Sequence, residues 1–290
     1  MQIQVKNLYH IYSEGMPYES VSLEDVSFEI EKGEFVGVIG HTGSGKSTLI
    51  QHLNGLLKPK SGQILIDGID ITSGEVKMSD IRRRIGLVFQ YPEYQLFEET
   101  VHKDVAFGPM NLGLSQEEID IRVKKAIELV GLNYDEIGQR SPFELSGGQK
   151  RRIAIAGVIA MEPEILILDE PIAGLDPKSH ADILEMIKVI HSVNNTTIII
   201  VSHNMGDIAR LTNKILVLDS GKLVMVGTPA EVFSQADYIE SLGLGLPPSA
   251  HLMNELRKRG VPVSRDILNI DEAEEELYRL LKQIEGKIDA

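Results

Sequence analysis

The chain has 290 residues, of which 42% are hydrophobic and 25% charged, a composition that suits one large globular domain with or without an appendage. A formal net charge of −14, from 29 basic and 43 acidic residues, speaks against a broad surface that tracks DNA or RNA phosphates, and no nucleic-acid partner is expected. No apolar run reaches the roughly 18 residues of a bilayer span, and the absence of cysteine excludes disulfides and thiolate metal sites, which fits a cytosolic location.

Met1-Gln2-Ile3-Gln4-Val5 reads as a strand, not as a basic and apolar leader. Alternation at Ile3 and Val5, then at Val26, Phe28 and Ile30, predicts an antiparallel sheet, with an irregular loop from Ser13 to Ser20 inside it and Lys32-Gly33 as a turn. Tyr12 stands just before that loop, where an aromatic ring could stack on a purine.

Phe35 to Ile50 reads as a buried strand, a glycine-rich turn and the first turns of a helix. Gly40, His41, Thr42, Gly43, Ser44, Gly45, Lys46, Ser47 and Thr48 contain the spacing G-x-x-x-x-G-K-[ST] of a phosphate loop. The glycines let successive backbone N–H groups face phosphate oxygens, and the helix adds its unpaired N-terminal donors. Lys46 would then reach the terminal phosphates, and the Ser47 hydroxyl would take a place on Mg²⁺. The helix is expected to run through Leu57, to the stop at Lys58-Pro59.

Gly62 to Ile71 alternates again around an Asp67-Gly68 hairpin turn, and Ile85 to Gln90 is a second short buried strand ending in a polar residue. Arg82-Arg83-Arg84 reads as a solvated helix face. Thr100 to Gly138 is helical in pattern, with a capping box expected at Ser115 and Glu118. Leu145-Ser146-Gly147-Gly148-Gln149 opens a further helix and makes a second anion-receiving helix start, and Lys150-Arg151-Arg152 inside it could form a local basic patch.

Ile165 to Leu168 and Ile198 to Val201 are continuous apolar runs, as strands covered on both faces should be, with a helix between them from Ser179 to Val193. Strands alternating with helices predict an α/β fold on a mostly parallel sheet, with ligands beyond the carboxyl ends of its strands. Asp169 and Glu170 stand at one such end, Gln90 at another and His203 at a third. An aspartate there can hold Mg²⁺, and the following carboxylate can polarise a water. Beyond about Thr228 three helical segments are expected, at 230–242, 249–259 and 271–284, the last with an apolar stripe of Leu277, Leu280, Leu281 and Ile284.

Taken together these motifs resemble the ATP-binding subunit of an ABC transporter over about residues 1–228, with a helical subdomain at about 95–157 and a C-terminal helical extension at 229–290. The resemblance implies a P-loop ATPase fold, ATP with Mg²⁺, and a role for each motif. Tyr12 and Gly40 to Thr48 would bind the nucleotide. Ser47, Gln90 and Asp169 would serve the metal. Glu170, His203, Gln90 and Lys46 would serve hydrolysis. Leu145 to Gln149 would be the signature facing a partner's ATP, and Asp176, in Ala173-Gly174-Leu175-Asp176, the D-loop.

A narrower likeness rests on Val88 to Phe97, on Glu14-Gly15-Met16-Pro17-Tyr18-Glu19, and on Leu246-Pro247-Pro248 through Gly260. These stretches are similar to the ATPases of energy-coupling factor importers for vitamins or transition-metal ions, the Gly-Met-Pro-Tyr loop most like the second of two paralogous subunits. That family implies a second ATPase subunit, paralogue or self, a membrane coupling protein docking near Gln90 to Phe97, and a separate substrate-binding membrane protein. It also implies a peripheral position on the cytoplasmic face of the membrane, and a tail that adds to the contact between paired ATPases. A generic ABC importer and a soluble ABC ATPase are the alternatives. The latter often carries tandem ATPase halves, long coiled-coil insertions or basic surfaces, and none is present.

Overall fold

The computed structural model describes residues 1–264 and 267–288, with all side chains among them except those of 194 and 283–288. Strands β1 (Ile3–Tyr12) and β2 (Ser20–Ile30) pair antiparallel, β3 (Phe35–Ile39) passes to a second sheet, and α1 (Lys46–Leu53) follows it. β4 (Ser61–Ile66) and β5 (Ile69–Asp70) return to the first sheet, whose order is β2-β1-β4-β5. The turn between them uses Asp67 and Gly68, both at positive φ, as the Asp-Gly pair predicts.

After α2 (Met78–Arg84), β6 (Ile85–Val88) joins the second sheet, and a short 3₁₀ turn spans Pro92–Gln95. A helical block follows: α3 (Val101–Asn111), α4 (Gln116–Leu129), α5 (Tyr134–Ile137) and α6 (Gly147–Ile159). Next come β7 (Ile165–Asp169), α7 (Pro177–Asn194), β8 (Thr197–Val201), α8 (Met205–Leu211), β9 (Lys214–Asp219) and β10 (Lys222–Gly227). The second sheet runs β10-β9-β3-β8-β7-β6, parallel except for β10.

The apolar runs divide by parity between two cores. Val36, Val38, Ile165, Ile167, Ile199 and Val201 face the first sheet and α1, whereas Phe35, Ile39, Leu166, Leu168, Ile198 and Ile200 face the helical side. Each fully buried aliphatic side chain contributes about 1.5–3 kcal/mol, so coverage on both faces fixes these strands without any alternation in sequence.

Several local expectations are corrected. The first helix ends at Leu53, not Leu57: Asn54 caps it and Gly55 turns left-handed at φ 69°, well before Pro59. The box at Ser115 is half made, because Ser115 accepts from the Glu118 amide while the Glu118 carboxylate takes the Arg122 guanidinium at 2.7 Å. The strand leading to Gln90 ends at Val88. Arg84 is no solvated residue but bridges Glu164 at 2.8 Å and also pairs with Asp67.

The segment 230–242 breaks at Ser234 and Gln235 into α9 (Pro229–Phe233) and α10 (Ala236–Ser241). α11 (Pro248–Lys258) and α12 (Ile270–Ile288) follow. Met253, Val263, Ile267, Ala273 and Leu280 form their own small core. Of the predicted stripe, Leu280 is buried, Leu277 packs at its edge, and Leu281 is 58% exposed; the Ile284 side chain lies outside the described residues.

Candidate nucleotide site

β3, β8, β7 and β6 are neighbours, so their carboxyl ends place the phosphate loop, His203, the Asp169-Glu170 pair and the Gln90 segment along one edge of the sheet. The loop turns where side chains cannot fit. A Cβ on Gly40 would stand 2.3 Å from the Leu218 carbonyl oxygen, and one on Gly45, at φ 101°, would stand 2.6 Å from that of Ser22. Lys46 folds back over the loop, donating to the carbonyls of Gly40 at 2.7 Å and His41 at 2.9 Å. Burial depresses its pKa, against the pull of Glu170 and Asp169. Ser44 Oγ is fully buried without a hydrogen-bond partner, an unsatisfied polar atom inside the loop. His41 anchors the loop's edge through Asp219 at 3.0 Å.

Thr48 plays a part the spacing does not foretell. Its hydroxyl meets Ser22 Oγ at 2.8 Å and the Tyr12 hydroxyl at 3.2 Å, which pins the Tyr12 ring beside the loop. Tyr12 remains 41% exposed and packs edge-on against His10. The ring is therefore held through its hydroxyl and by His10 and stays partly open to solvent.

Ser47 Oγ donates to Asp169 Oδ2 at 3.4 Å, a long contact between side-chain oxygens of two different elements. Burial raises the Asp169 pKa. Glu170 follows at φ 49°, a left-handed conformation costly for a residue with a side chain, and its amide donates to the Val201 carbonyl at 3.0 Å. Burial, then the neighbouring Asp169 charge, pushes the Glu170 pKa up to about 7. Its Oε1 is buried without a hydrogen-bond partner, although His203 Nε2 lies 3.3 Å away. Burial, and then Lys46, lowers the His203 pKa.

Gln90 is exposed two residues past β6 and makes no hydrogen bond to the carboxylates among the described residues. Asp176 is likewise exposed; its carboxylate caps α7, accepting from the amides of Lys178 and Ser179 at 3.1 Å each. In the signature stretch Leu145 is buried, and Ser146 and Gln149 form a complete, reciprocal capping box at the start of α6. The Gly147 position opens on free space. α6 packs on α3 and α4, whereas α1 packs on β2, so the second helix start belongs to a different part of the molecule from the phosphate loop. Arg151 is no part of a basic patch: it is buried and paired with Glu93 at 2.6 Å. Ser22, Glu93 and Arg151 carry no sequence signal of their own, since their partners are distant in the chain.

The model of the ABC transporter family matches residues 23–173. An energy-coupling factor transporter ATP-binding protein EcfA2 from Caldanaerobacter subterraneus subsp. tengcongensis is 60% identical over 282 residues, covering 97% of this chain and 98% of that protein. One from Clostridium tetani is 57% identical over 280 residues, covering 97% of each. Among solved structures, cbiO1 from Clostridium perfringens, part of the ABC transporter complex cbiONQ, aligns with a TM-score of 0.74 at 38% identity, covering 87% of this chain and 98% of that one. A dimeric ATP-binding cassette in a post-hydrolysis state with ADP and Pi aligns at 0.69 and 29% identity, covering 78% and 98%. The nucleotide-loop geometry and these likenesses agree, and the chain belongs to the ABC transporter family, among its energy-coupling factor transporter ATP-binding proteins.

Proposed function

We propose that this chain binds ATP with Mg²⁺ between its phosphate loop and the signature of a second ATPase subunit, and that hydrolysis there powers an energy-coupling factor importer for a vitamin or transition-metal ion. The observation that carries the reading is the Asp169-Glu170 pair, one buried and one largely buried carboxylate with raised pKa values, set beside Ser47, Lys46 and His203 at one sheet edge.

The donors fit Mg²⁺. Ser47 and Asp169 offer hard oxygens within 3.4 Å of each other, and no cluster of three or more His, Cys, Asp or Glu able to hold a metal occurs among the described residues. One carboxylate, a hydroxyl and substrate phosphates are the usual company of this ion. Gln90, two residues past the end of β6, would complete the set. When bound, Mg²⁺ neutralises charge on the phosphate oxygens.

The chain's own groups do the rest. Tyr12 stacks the adenine, and the amides of Gly40 to Thr48 cradle the phosphates. Lys46 leaves the two loop carbonyls for the phosphate oxygens, where its positive charge stabilises the transferring group. Glu170, as carboxylate, orients the attacking water and takes its proton at the unpartnered Oε1. His203 contacts the γ-phosphate. Gly147 and Gly148 present amides of the α6 start to the partner's nucleotide, while Ser146 and Gln149 hold that start rigid. Asp176 shapes the turn between the two sites.

Residues 1–228 form the ATPase domain on this reading, with 95–157 as its helical subdomain. The groove between Gln95 to Phe97 and α3, where Phe97 and Phe107 stay exposed, receives the membrane coupling protein. A separate membrane protein carries the solute. Residues 229–290 add to the contact between paired ATPases, through the exposed Leu252, Ile270, Tyr278 and Leu281. The chain then lies on the cytoplasmic face of the membrane; among the described residues no helix is long and apolar enough to cross it.

Steady-state ATP hydrolysis by the purified membrane assembly tests this. Glu170→Gln should lower turnover by about 10²-fold or more while nucleotide binding persists. Undiminished turnover would remove Glu170 from its role.

A further inference from the structure

Among the described residues Arg151 is the largest fully buried side chain, 2% exposed, in the second turn of a helix that is covered nearly all round beyond its first residue. Its Nε and Nη2 fork onto the Glu93 carboxylate at 2.9 and 2.6 Å. Its Nη1 donates to the carbonyls of Pro171 at 3.2 Å and Ala173 at 2.7 Å, and the Tyr91 ring lies 5.8 Å away. One cation thus joins three segments: the stretch after Gln90, the helix opened by Ser146, and the turn that follows Glu170.

Stability alone gives little reason for this arrangement. Desolvating a guanidinium and a carboxylate is costly, and well-packed apolar residues in their place often hold a fold together equally well. A fork with fixed directions supplies what an apolar contact lacks, which is geometry. Glu170 needs it. Its φ of 49° persists only where the surroundings over-determine the backbone, and the turn's own bonds, such as Ala173 N–H to the Glu170 carbonyl at 3.2 Å, are long. The two carbonyls gripped by Arg151 belong to that turn.

We infer that Arg151 is a positioning residue: held by Glu93, it fixes the Pro171–Ala173 turn and hence the aim of the Glu170 carboxylate, so that a displacement of segment 91–97 by a membrane partner reaches the water-activating group through a single side chain. This deepens the proposed function and rests on Glu170 as the base. Lys150 and Arg152, its neighbours on α6, take no part; Arg152 pairs outward with Asp182 at 2.7 Å.

Glu93→Gln keeps the shape of the fork and removes its charge, and Arg151→Lys keeps the charge and removes the fork. Both are compared with wild type in the intact assembly for hydrolysis, and in the full chain for fluorescent-nucleotide binding and amide hydrogen exchange. In each variant kcat should fall about tenfold or more, with KM and nucleotide affinity within about twofold. Amides of 172–175 should exchange about tenfold faster while β7 and β8 keep their protection. An unchanged kcat with unchanged exchange in this turn overturns the inference, as does a uniform rise in exchange across the whole chain, which marks a merely structural pair. If Arg151→Lys does not fold, Glu93→Gln decides alone. Should wild type and Glu170→Gln hydrolyse ATP equally, the functional reading fails, and the exchange of 172–175 still reports whether the fork fixes the turn.

Discussion

His203 Nε2 stands 3.3 Å from Glu170 Oε1, across the ends of the adjacent strands β8 and β7, without forming a hydrogen bond. A lowered pKa keeps that imidazole neutral while burial keeps the carboxyl protonated up to about 7.

The carboxylate form is the one able to take a proton from water, so kcat/KM for MgATP should be low in acid and rise through about pH 7 to a plateau. A pH–rate profile of the wild-type assembly checks this. The residual rate of Glu170→Gln should lack that acid limb.

The same shift has a stability consequence of opposite sign. An unfolded glutamate ionises near 4.5, whereas folded Glu170 holds its proton to about 7, so through that window the unfolded chain binds fewer protons and the folded state loses stability as pH rises. Thermal unfolding should therefore show Glu170→Gln melting above wild type at about pH 8, with the difference shrinking towards about pH 4.

Gly45→Ala places a methyl group at φ 101°, 2.6 Å from the Ser22 carbonyl oxygen. Strain of about 1–3 kcal/mol is expected, relieved only by moving the loop off β2. Nucleotide affinity should fall at least about tenfold, read by titration, alongside a lower thermal midpoint.

Ser146→Ala removes one half of the complete capping box on α6. The helix should lose about 1 kcal/mol of stability, by denaturant titration of the chain. If, as proposed, the rigid helix start serves a partner's nucleotide, hydrolysis in the paired assembly should fall further than that, while Kd for nucleotide at the chain's own phosphate loop should not move.

What could be read from residues alone follows from where each interaction closes. The phosphate-loop spacing, the Asp169-Glu170 pair and the strands covered on both faces were legible because a contiguous run of residues carries each pattern, as in Ile165 to Leu168. The Ser146 cap was legible for the same reason, and Gln149 three residues on carries the spacing of a capping box as Glu118 does after Ser115; the box closes at Ser146, whereas at Ser115 a competing Arg122 undoes it. The Glu93–Arg151 fork spans 58 residues and the Ser22–Thr48 contact 26, with no periodicity in either to announce it. Arg151 sat among basic neighbours and looked like them; only tertiary burial tells it apart.

The order β10-β9-β3-β8-β7-β6 has a consequence for synthesis. The strand that leads into the nucleotide loop is made early, yet its two neighbours, Thr197–Val201 and Lys214–Asp219, emerge far later from the ribosome. Until then that hydrophobic ribbon has no mate on either side, and its glycine-rich tip lacks the Leu218 and Gly221 backbone against which it is moulded. The loop can therefore take its final shape only once most of the chain has been made, and the pairing that supports it is of the long-range kind that forms slowly.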